Sequence, residues 1–161
     1  MDINQRRSLN FRFLAEPTDV NFGGKVHGGI VMKWMDQVGY ACAAQWSGRY
    51  CVTVSIGGIR FKRPILVGQM VNLRAKIVHT GRTSMHIYIA VLATDPKLNA
   101  MVETGHCIMA FVASDEAGYP VEVPSWQPQT ERDLALERYA IQAKESAQSL
   151  DKELQNTPKE D

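Results

Sequence analysis

The stretch from Gly28 to Trp46 constrains the fold more than any other part of the chain. One predicted helix face contains Ile30, Val31, Trp34, Val38, Ala41 and Gln45, which follow a three–four spacing. The opposite face is also weakly polar: Met32, Gly39, Tyr40, Ala43 and Ala44. A helix that is apolar nearly all round is buried. We therefore expect one long central helix from Val26 or His27 to about Trp46, ended by Ser47-Gly48.

Alternating apolar and polar residues on both sides of this helix predict strands. The predicted strands are Ser8–Phe13, Val52–Ile56 continuing through Ile59–Arg63, Val71–Ile77, Met85–Val91 and Val102–Val112. Gly57-Gly58 predicts a bulge or a close backbone approach within the second of them. One long helix among consecutive strands indicates an α+β domain, a helix wrapped by an antiparallel sheet of about five to six strands.

The C-terminal part of the chain predicts a separate helix. Thr130 with Asp133 is typical of a helix N-cap, and an apolar stripe follows it. The stripe consists of Leu136, Ala140, Ala143, Ala147, Leu150 and Leu154. We expect a main domain over residues 1–125, a helical extension over 126–155 and a disordered tail over 156–161.

Several classes of protein are disfavoured by the sequence. The polar segment Met1–Asn10 does not resemble a signal peptide. Lys33, Asp36 and Gln37 interrupt the longest apolar stretch, which argues against a membrane span. Cys42, Cys51 and Cys107 form neither a disulfide framework nor a zinc pattern. They indicate free thiols in a reducing compartment such as the cytosol, and no metal site is expected.

The charges are unevenly distributed along the chain. Between Asn21 and Thr94 there are nine lysines and arginines but one acid, Asp36, whereas residues 114–161 carry eleven acids and five bases. A lone acid within an apolar stretch of a basic segment is expected to be buried and reactive, because an unused buried carboxylate is costly. The surrounding bases favour an anionic substrate.

The segment 21–36, Asn-Phe-Gly-Gly-Lys-Val-His-Gly-Gly-Ile-Val-Met-Lys-Trp-Met-Asp, resembles the signature of hotdog-fold acyl-CoA thioesterases. The similarity is closest to the cytosolic acyl-CoA hydrolase family that includes the brain-type enzyme. It extends over residues 8–145, through Arg60–Ile65, Val67-Gly68, Thr80–Met85 and Val121–Lys144. The resemblance implies a hotdog domain that hydrolyses fatty acyl-CoA to free fatty acid and CoA.

Four candidate catalytic residues follow from the resemblance. Asp36 matches the aspartate of the family, which acts as a general base for water or as a nucleophile. Asn21 matches an asparagine on the other side of the site. Gly28-Gly29, at a predicted helix N-terminus, can supply an oxyanion site. Structural alternatives remain for each: a carboxylate bonded to backbone or Lys33, a loop asparagine, and glycines that let the helix start close to the sheet.

The remaining candidates concern CoA and assembly. His27 is expected to form a wall of the site, and the CoA phosphates are expected to contact basic and small polar residues. These are Arg60, Lys62, Arg63, Gly81, Arg82, Thr83 and Ser84, with Arg74 and Lys76 as further bases. For any single base, a solvated strand face is the alternative. The resemblance implies a homodimer with shared sites, further assembled as a trimer of dimers (a hexamer), and a reaction without metal or organic cofactor.

Three functions other than hydrolysis are less consistent with the sequence. A hotdog module that binds acyl-CoA as a sensor is disfavoured by the presence of both Asn21 and Asp36. Nucleic-acid binding is disfavoured by the few aromatic residues in the basic segment and by the acidic C-terminal part. A hotdog dehydratase would need a catalytic histidine on the helix.

Overall fold

Five antiparallel strands and two α-helices make up the computed structural model, which describes residues 2–160. The elements are β1 (Ser8–Leu14), α1 (Gly28–Ser47), β2 (Tyr50–Phe61), β3 (Met70–Thr80), β4 (Ser84–Thr94), β5 (Val102–Ser114) and α2 (Glu131–Gln155). Short 3-10 turns span Ile3–Arg6 and Pro17–Asp19. The predicted hotdog architecture, a sheet around a central helix with a C-terminal helix, is confirmed. Met1, the first residue of the predicted main domain, lies outside the described residues, and so does Asp161, the last residue of the predicted tail.

The strands form one sheet in the order β1-β3-β4-β5-β2, so that β1 and β2 are its edges. The β2–β5 register shifts between Thr53 and Ser55 and again between Gly57 and Arg60. Gly58 has φ +55°, a value that favours glycine. The predicted bulge is confirmed, and it bends the edge strand where it passes α2.

One face of α1 fills the concave side of the sheet. Val31, Met35, Val38, Cys42 and Trp46 are at most 5% exposed. Gly39 allows a close approach, because a Cβ there would lie 2.9 Å from the Phe111 ring. Phe111 and the inner side chains of β3 and β4 complete this core.

The prediction that α1 is buried all round is wrong for the single protomer. Met32 and Tyr40 are 39% and 38% exposed, and Asp36 is exposed as well. These residues lie on the side of the helix toward β2, where the sheet ends. An open flank therefore runs along α1 and the edge strand, and this flank carries the lone acid.

The helix α2 lies on the outer face of the sheet. Thr130 caps it by accepting a hydrogen bond from the Asp133 N–H at 3.1 Å, which confirms the predicted cap. Its Ala140 packs against Val78 and Ile108. Leu150 and Leu154 are 67% and 72% exposed, so only the first half of the predicted stripe packs on its own domain. That the tail from Asn156 onward is disordered remains a prediction.

The three thiols are free, as predicted, and the structure shows that all three are buried. Burial raises the pKa of Cys42 to about 12, although the hydrogen bond to backbone and the Arg7 charge lower it in part. Burial likewise raises the pKa of Cys107 to about 12. Thiols of this kind are inert at neutral pH. No helix within residues 2–160 has the length and hydropathy needed to cross a membrane.

Candidate active site

A cleft with a volume of about 330 Å³ opens beside the N-terminus of α1. The loop before the helix contributes Asn21 and Lys25, and the helix contributes Gly28 and Val31. The end of β2 and the residues after it contribute Phe61, Lys62 and Arg63. Polar groups thus surround a partly apolar pocket at the positive end of a helix dipole, which suits a ligand that is anionic at one end.

The first turn of α1 presents free backbone donors to this cleft. His27 is the N-cap but makes no side-chain cap hydrogen bond, and its own N–H donates to the Asp19 carbonyl at 2.9 Å. The N–H groups at the start of the helix have no partner within the helix. They are therefore available to an oxygen that develops negative charge.

Packing within the protomer does not explain the glycine pair. A Cβ on Gly28 would make an ordinary contact of 3.7 Å with the Phe61 ring, and a Cβ on Gly29 would meet no described atom within 4 Å. Neither residue has a positive φ. The alternative that these glycines serve a close helix–sheet start is thus not supported by the packing of the described residues.

Asn21 is fixed by its own loop. Its Oδ1 accepts hydrogen bonds from the Gly23 and Lys25 N–H groups at 2.9 and 3.2 Å. The structure therefore shows the loop hydrogen bonds that the structural alternative for Asn21 expects. These bonds orient the side-chain amide, and within residues 2–160 they leave its Nδ2 donors without a partner. An asparagine that lines the cleft with Oδ1 already engaged has its two N–H groups left for a ligand or a water.

Asp36 lies about 12 Å along the helix axis from Gly28 and does not line the cleft. Its Oδ1 accepts a hydrogen bond of 2.6 Å from the Thr53 hydroxyl on β2. The expected burial of Asp36 is wrong in the protomer, because its helix face points to the open edge of the sheet. The structural alternative named backbone or Lys33 as the partner of Asp36, whereas the structure shows Thr53. Within residues 2–160, the other carboxylate oxygen of Asp36 has no hydrogen-bond partner.

The predicted phosphate-binding bases lie on two faces of the sheet. Lys62 and Arg63 line the cleft, with Lys62 also 3.6 Å from Glu103. Arg60 immediately precedes Phe61 in the chain and is the cross-strand neighbour of His106. Because neighbouring residues of a strand point to opposite faces, Arg60 lies on the outer face, away from the cleft. Arg74 and Lys76 also line a different groove.

The predicted CoA-side turn lies at the other end of the protomer. Gly81 donates its N–H to the Ser84 carbonyl at 2.9 Å, and a Cβ on Gly81 would be 2.6 Å from the Ser84 Oγ. The Thr83 carbonyl accepts a hydrogen bond from the Ala113 N–H. Ala113 lies about 26 Å along β5 from Gly105, which pairs with Phe61 at the cleft. Arg82 forms an exposed 3.8 Å pair with Glu122. A single protomer does not bring this turn and Asn21 together.

Three residues near the site were not identified from the sequence. Thr53 contacts Asp36 from a distant part of the chain, and no local spacing reveals such a pair. Phe61 covers Gly28 and was interpreted only as part of a strand. Lys25 lines the cleft; from the sequence it counts only among the bases of the segment, and its position inside the glycine-rich segment is the signal that could have assigned it to the site.

Within residues 2–160, no three His, Cys, Asp or Glu side chains converge as a metal site. Free helix amides, an oriented amide and a carboxylate are the kinds of group that acyl transfer to water can use. Fold and site together define a hotdog-type thioester hydrolase.

Comparisons with known proteins agree with this class. The Thioesterase superfamily profile matches residues 23–100. The chain is 34% identical over 145 residues to protein VdlD of Helicobacter pylori (strain 26695), covering 90% of this chain and 83% of VdlD. It is 34% identical over 128 residues to the acyl-CoA thioester hydrolase YciA of Salmonella typhimurium, covering 77% and 96%. A crystal structure of an apo-hexameric acyl-CoA thioesterase superposes with a TM-score of 0.84 at 32% identity, covering 90% and 93%.

The chain belongs to the thioesterase superfamily, among the acyl-CoA thioester hydrolases.

Proposed function

We propose that the protein hydrolyses fatty acyl-CoA to free fatty acid and CoA, using a site completed by two protomers. The observation that most directly supports this proposal is the Thr53–Asp36 hydrogen bond of 2.6 Å on the open flank of α1. A carboxylate held by one hydroxyl, with its other oxygen free, is suited to water activation or direct attack. The reaction requires only the thioester and water, so we propose that no metal or organic cofactor takes part.

The start of α1 is proposed to stabilise the thioester oxyanion. When the carbonyl carbon is attacked, its oxygen becomes negative and needs donors already in place. The free amides of the first turn at Gly28 and Gly29 provide such donors, and the helix dipole adds a favourable potential. The Asn21 Nδ2 group can hold the attacking water or the same oxygen. The thiolate of CoA then leaves.

Asp36 and Asn21 are proposed to act from different protomers. The outer edge of β2 exposes Tyr50, Val52, Val54 and Ile56 at 36–63%, and exposed apolar strands at a sheet edge pair readily with another chain. In an antiparallel β2–β2 pair, the half near Phe61 of one protomer lies opposite the half near Thr53 of the other. The cleft of one protomer thereby approaches Asp36 of the second.

The same pairing supports the remaining predicted substrate contacts. It brings the end of the sheet with Gly81–Ser84 of one protomer toward the cleft end of the other, where Lys62 and Arg63 lie. These bases then serve the CoA phosphates. Because a similar thioesterase is hexameric, we propose that three such dimers associate further.

Co-expression of two inactive variants tests the shared site. Asn21→Ala and Asp36→Asn should each be inactive alone. In a mixed dimer, one site receives both wild-type residues, and random pairing should therefore restore about one quarter of the wild-type rate. Tagged subunits allow the mixed dimer to be purified and assayed. No recovery in the purified mixed dimer would show that each site uses one chain only.

The activity itself is tested by thiol release from acyl-CoA thioesters of short, medium and long chain. We expect turnover that saturates with substrate and yields one free thiol per fatty acid. Absence of release with every chain length, together with measurable acyl-CoA binding, would replace hydrolysis by the binding-module function. The presence of both Asn21 and the engaged Asp36 favours hydrolysis over that alternative.

A further inference from the structure

Phe22 is the most exposed large apolar side chain within residues 2–160. Its ring is fully exposed, so the protomer itself gains no burial from it. A single exposed apolar residue is ordinary in proteins. Phe22 differs because its loop holds the ring in a fixed direction beside the cleft.

The turn that carries Phe22, residues 21–25, is closed by hydrogen bonds on both sides of the ring. The Asn21 N–H donates to the Lys25 carbonyl at 2.6 Å, and the Gly24 N–H donates to the Asn21 carbonyl at 3.0 Å. The Asn21 Oδ1 also accepts from the Gly23 N–H at 2.9 Å. An aromatic ring that is held in this way loses little conformational entropy when it docks on another surface.

An exposed aromatic pair lies on the open flank of α1. Tyr40 of α1 and Tyr50 at the start of β2 have ring centroids 5.9 Å apart, with an interplanar angle of 57°. Both rings are exposed in the protomer. The pair is continuous with the edge of β2 that is proposed to join two protomers. A third ring placed on it would bury apolar area and gain edge-to-face contacts.

The proposed antiparallel β2–β2 pair relates the two protomers by a two-fold axis. Within each protomer, Asp36 lies beside Thr53, and Gly28 lies against the Phe61 ring. The helix α1 and the strand β2 therefore run in opposite directions next to one another. An axis that places the end of one β2 opposite the beginning of the other passes near Met32, the exposed residue midway between the two helix contacts.

This symmetry brings the turn of one protomer to the aromatic pair of the other. Tyr40 lies one helical turn past Asp36, so it faces the stretch that precedes the partner's α1. Tyr50, at the start of β2, faces the stretch that follows the end of the partner's β2. These two stretches lie side by side, because the Val26 N–H donates to the Ile65 carbonyl at 2.9 Å. The turn with Phe22 is at the same place.

We propose that Phe22 of each protomer packs on the Tyr40–Tyr50 pair of a second copy of this chain. This contact rests on the two-protomer site proposed above and adds a positioning residue to it. Phe22 contacts the partner, and through its neighbour Asn21 it sets the distance between the side-chain amide of one chain and Asp36 of the other. Two such contacts form in each dimer, one at each site.

Cysteine crosslinking of the full-length protein tests the contact. The three native thiols are buried, so a short bismaleimide should react with engineered cysteines only. Phe22→Cys/Tyr40→Cys should give covalent dimers. Each single variant should not, because the two copies of either residue lie at opposite ends of the pair. About 18 Å of helix separates Gly28 from Tyr40, so a short reagent does not join the two cysteines within one chain.

Two further cysteine variants separate the contact from the pairing on which it rests. Met32→Cys, next to the proposed axis, should form covalent dimers by itself. Dimers of Met32→Cys without dimers of Phe22→Cys/Tyr40→Cys overturn the Phe22 contact alone, whereas the absence of both overturns the shared site as well. Leu98 is exposed on the β4–β5 connection, and equally fast dimers of Phe22→Cys/Leu98→Cys would show unspecific collision and overturn the contact.

Kinetics test the positioning role. Phe22→Ala should weaken the dimer by about tenfold or more in sedimentation and lower kcat for thiol release by about tenfold at little change in KM. Phe22→Tyr keeps the ring and should restore both, and Leu98→Ala, the matched control, should behave like the wild type. A KM that rises with acyl-chain length while the dimer persists overturns the proposal, because Phe22 then contacts the substrate. Failure of the proposed hydrolysis is distinct, since it shows as no thiol release by the wild type whatever the crosslinks.

Discussion

Asp36→Asn is expected to lower kcat for acyl-CoA hydrolysis by about 10³-fold, the range for loss of a general base. An amide can still accept the Thr53 hydrogen bond that the carboxylate Oδ1 accepts at 2.6 Å, but it neither takes a proton from water nor attacks the thioester. The side chain is exposed, so the free energy of unfolding should change by less than about 0.5 kcal/mol. Thiol release and urea unfolding, measured on one preparation, check both expectations.

Thr53→Val provides the companion variant. It removes the hydroxyl but keeps the β-branched shape that suits β2. Because the Thr53 hydroxyl holds Asp36 in place, we expect kcat to fall by about tenfold with little change in KM. Near-wild-type turnover in Asp36→Asn would refute the catalytic assignment. A rise in KM at constant kcat in Thr53→Val would refute the positioning role.

Local sequence patterns were sufficient for the elements that pack on one continuous surface. The three–four spacing of Val31 and Val38 and the alternation around Leu73 and Ile87 are produced by burial against the same core. The N-cap at Thr130 was also predictable, since its partner is three residues away. In each case the physical cause lies within one element or its immediate neighbour.

The environment of Asp36 was not predictable in the same way. Its helix sequence is apolar nearly all round, but one flank of the helix is left uncovered by the last strand of the sheet. Only the strand order, with β2 at the edge, shows that no further strand covers this flank within residues 2–160. The partner Thr53 depends on the register of that edge strand, which a bulge shifts. Neither feature leaves a signal at Asp36 itself.

A buried ion pair joins the N-terminal segment, the sheet and α2. Arg7 donates from Nη2 to Asp133 Oδ1 at 2.7 Å and from Nε to the Ile77 carbonyl at 2.9 Å, and its guanidinium lies 4.2 Å from the centre of the Trp126 ring. Asp133 Oδ2 accepts from the Gln129 N–H at 3.2 Å. Asp133 is 2% exposed. Removal of this carboxylate would leave Arg7 charged and largely desolvated.

Asp133→Ala is therefore expected to destabilise the protein by about 3–5 kcal/mol, the usual cost of removing one partner from a buried pair. Glu122→Ala, which breaks the exposed 3.8 Å pair with Arg82, is the matched control and should cost less than about 1 kcal/mol. Urea unfolding at neutral pH measures both variants. Equal losses in the two would show that the buried pair contributes no more than a surface contact.

The dependence of stability on pH should differ between the wild type and Asp133→Ala. Burial alone would raise the pKa of Asp133, but the hydrogen bonds from Arg7 and the Gln129 N–H and the charges of Arg7 and Lys76 lower it from 3.8 to about 2. A carboxyl with a lowered pKa in the folded state binds its proton more readily when unfolded. Its stabilisation, about 2 kcal/mol, is therefore complete above pH 5 and lost as the pH falls from about 5 to 2. The variant should lack this part of the acid transition, so the difference in unfolding free energy between the two proteins should narrow over that interval. A difference that stays constant with pH would mean that Asp133 is not held as the charged partner of Arg7.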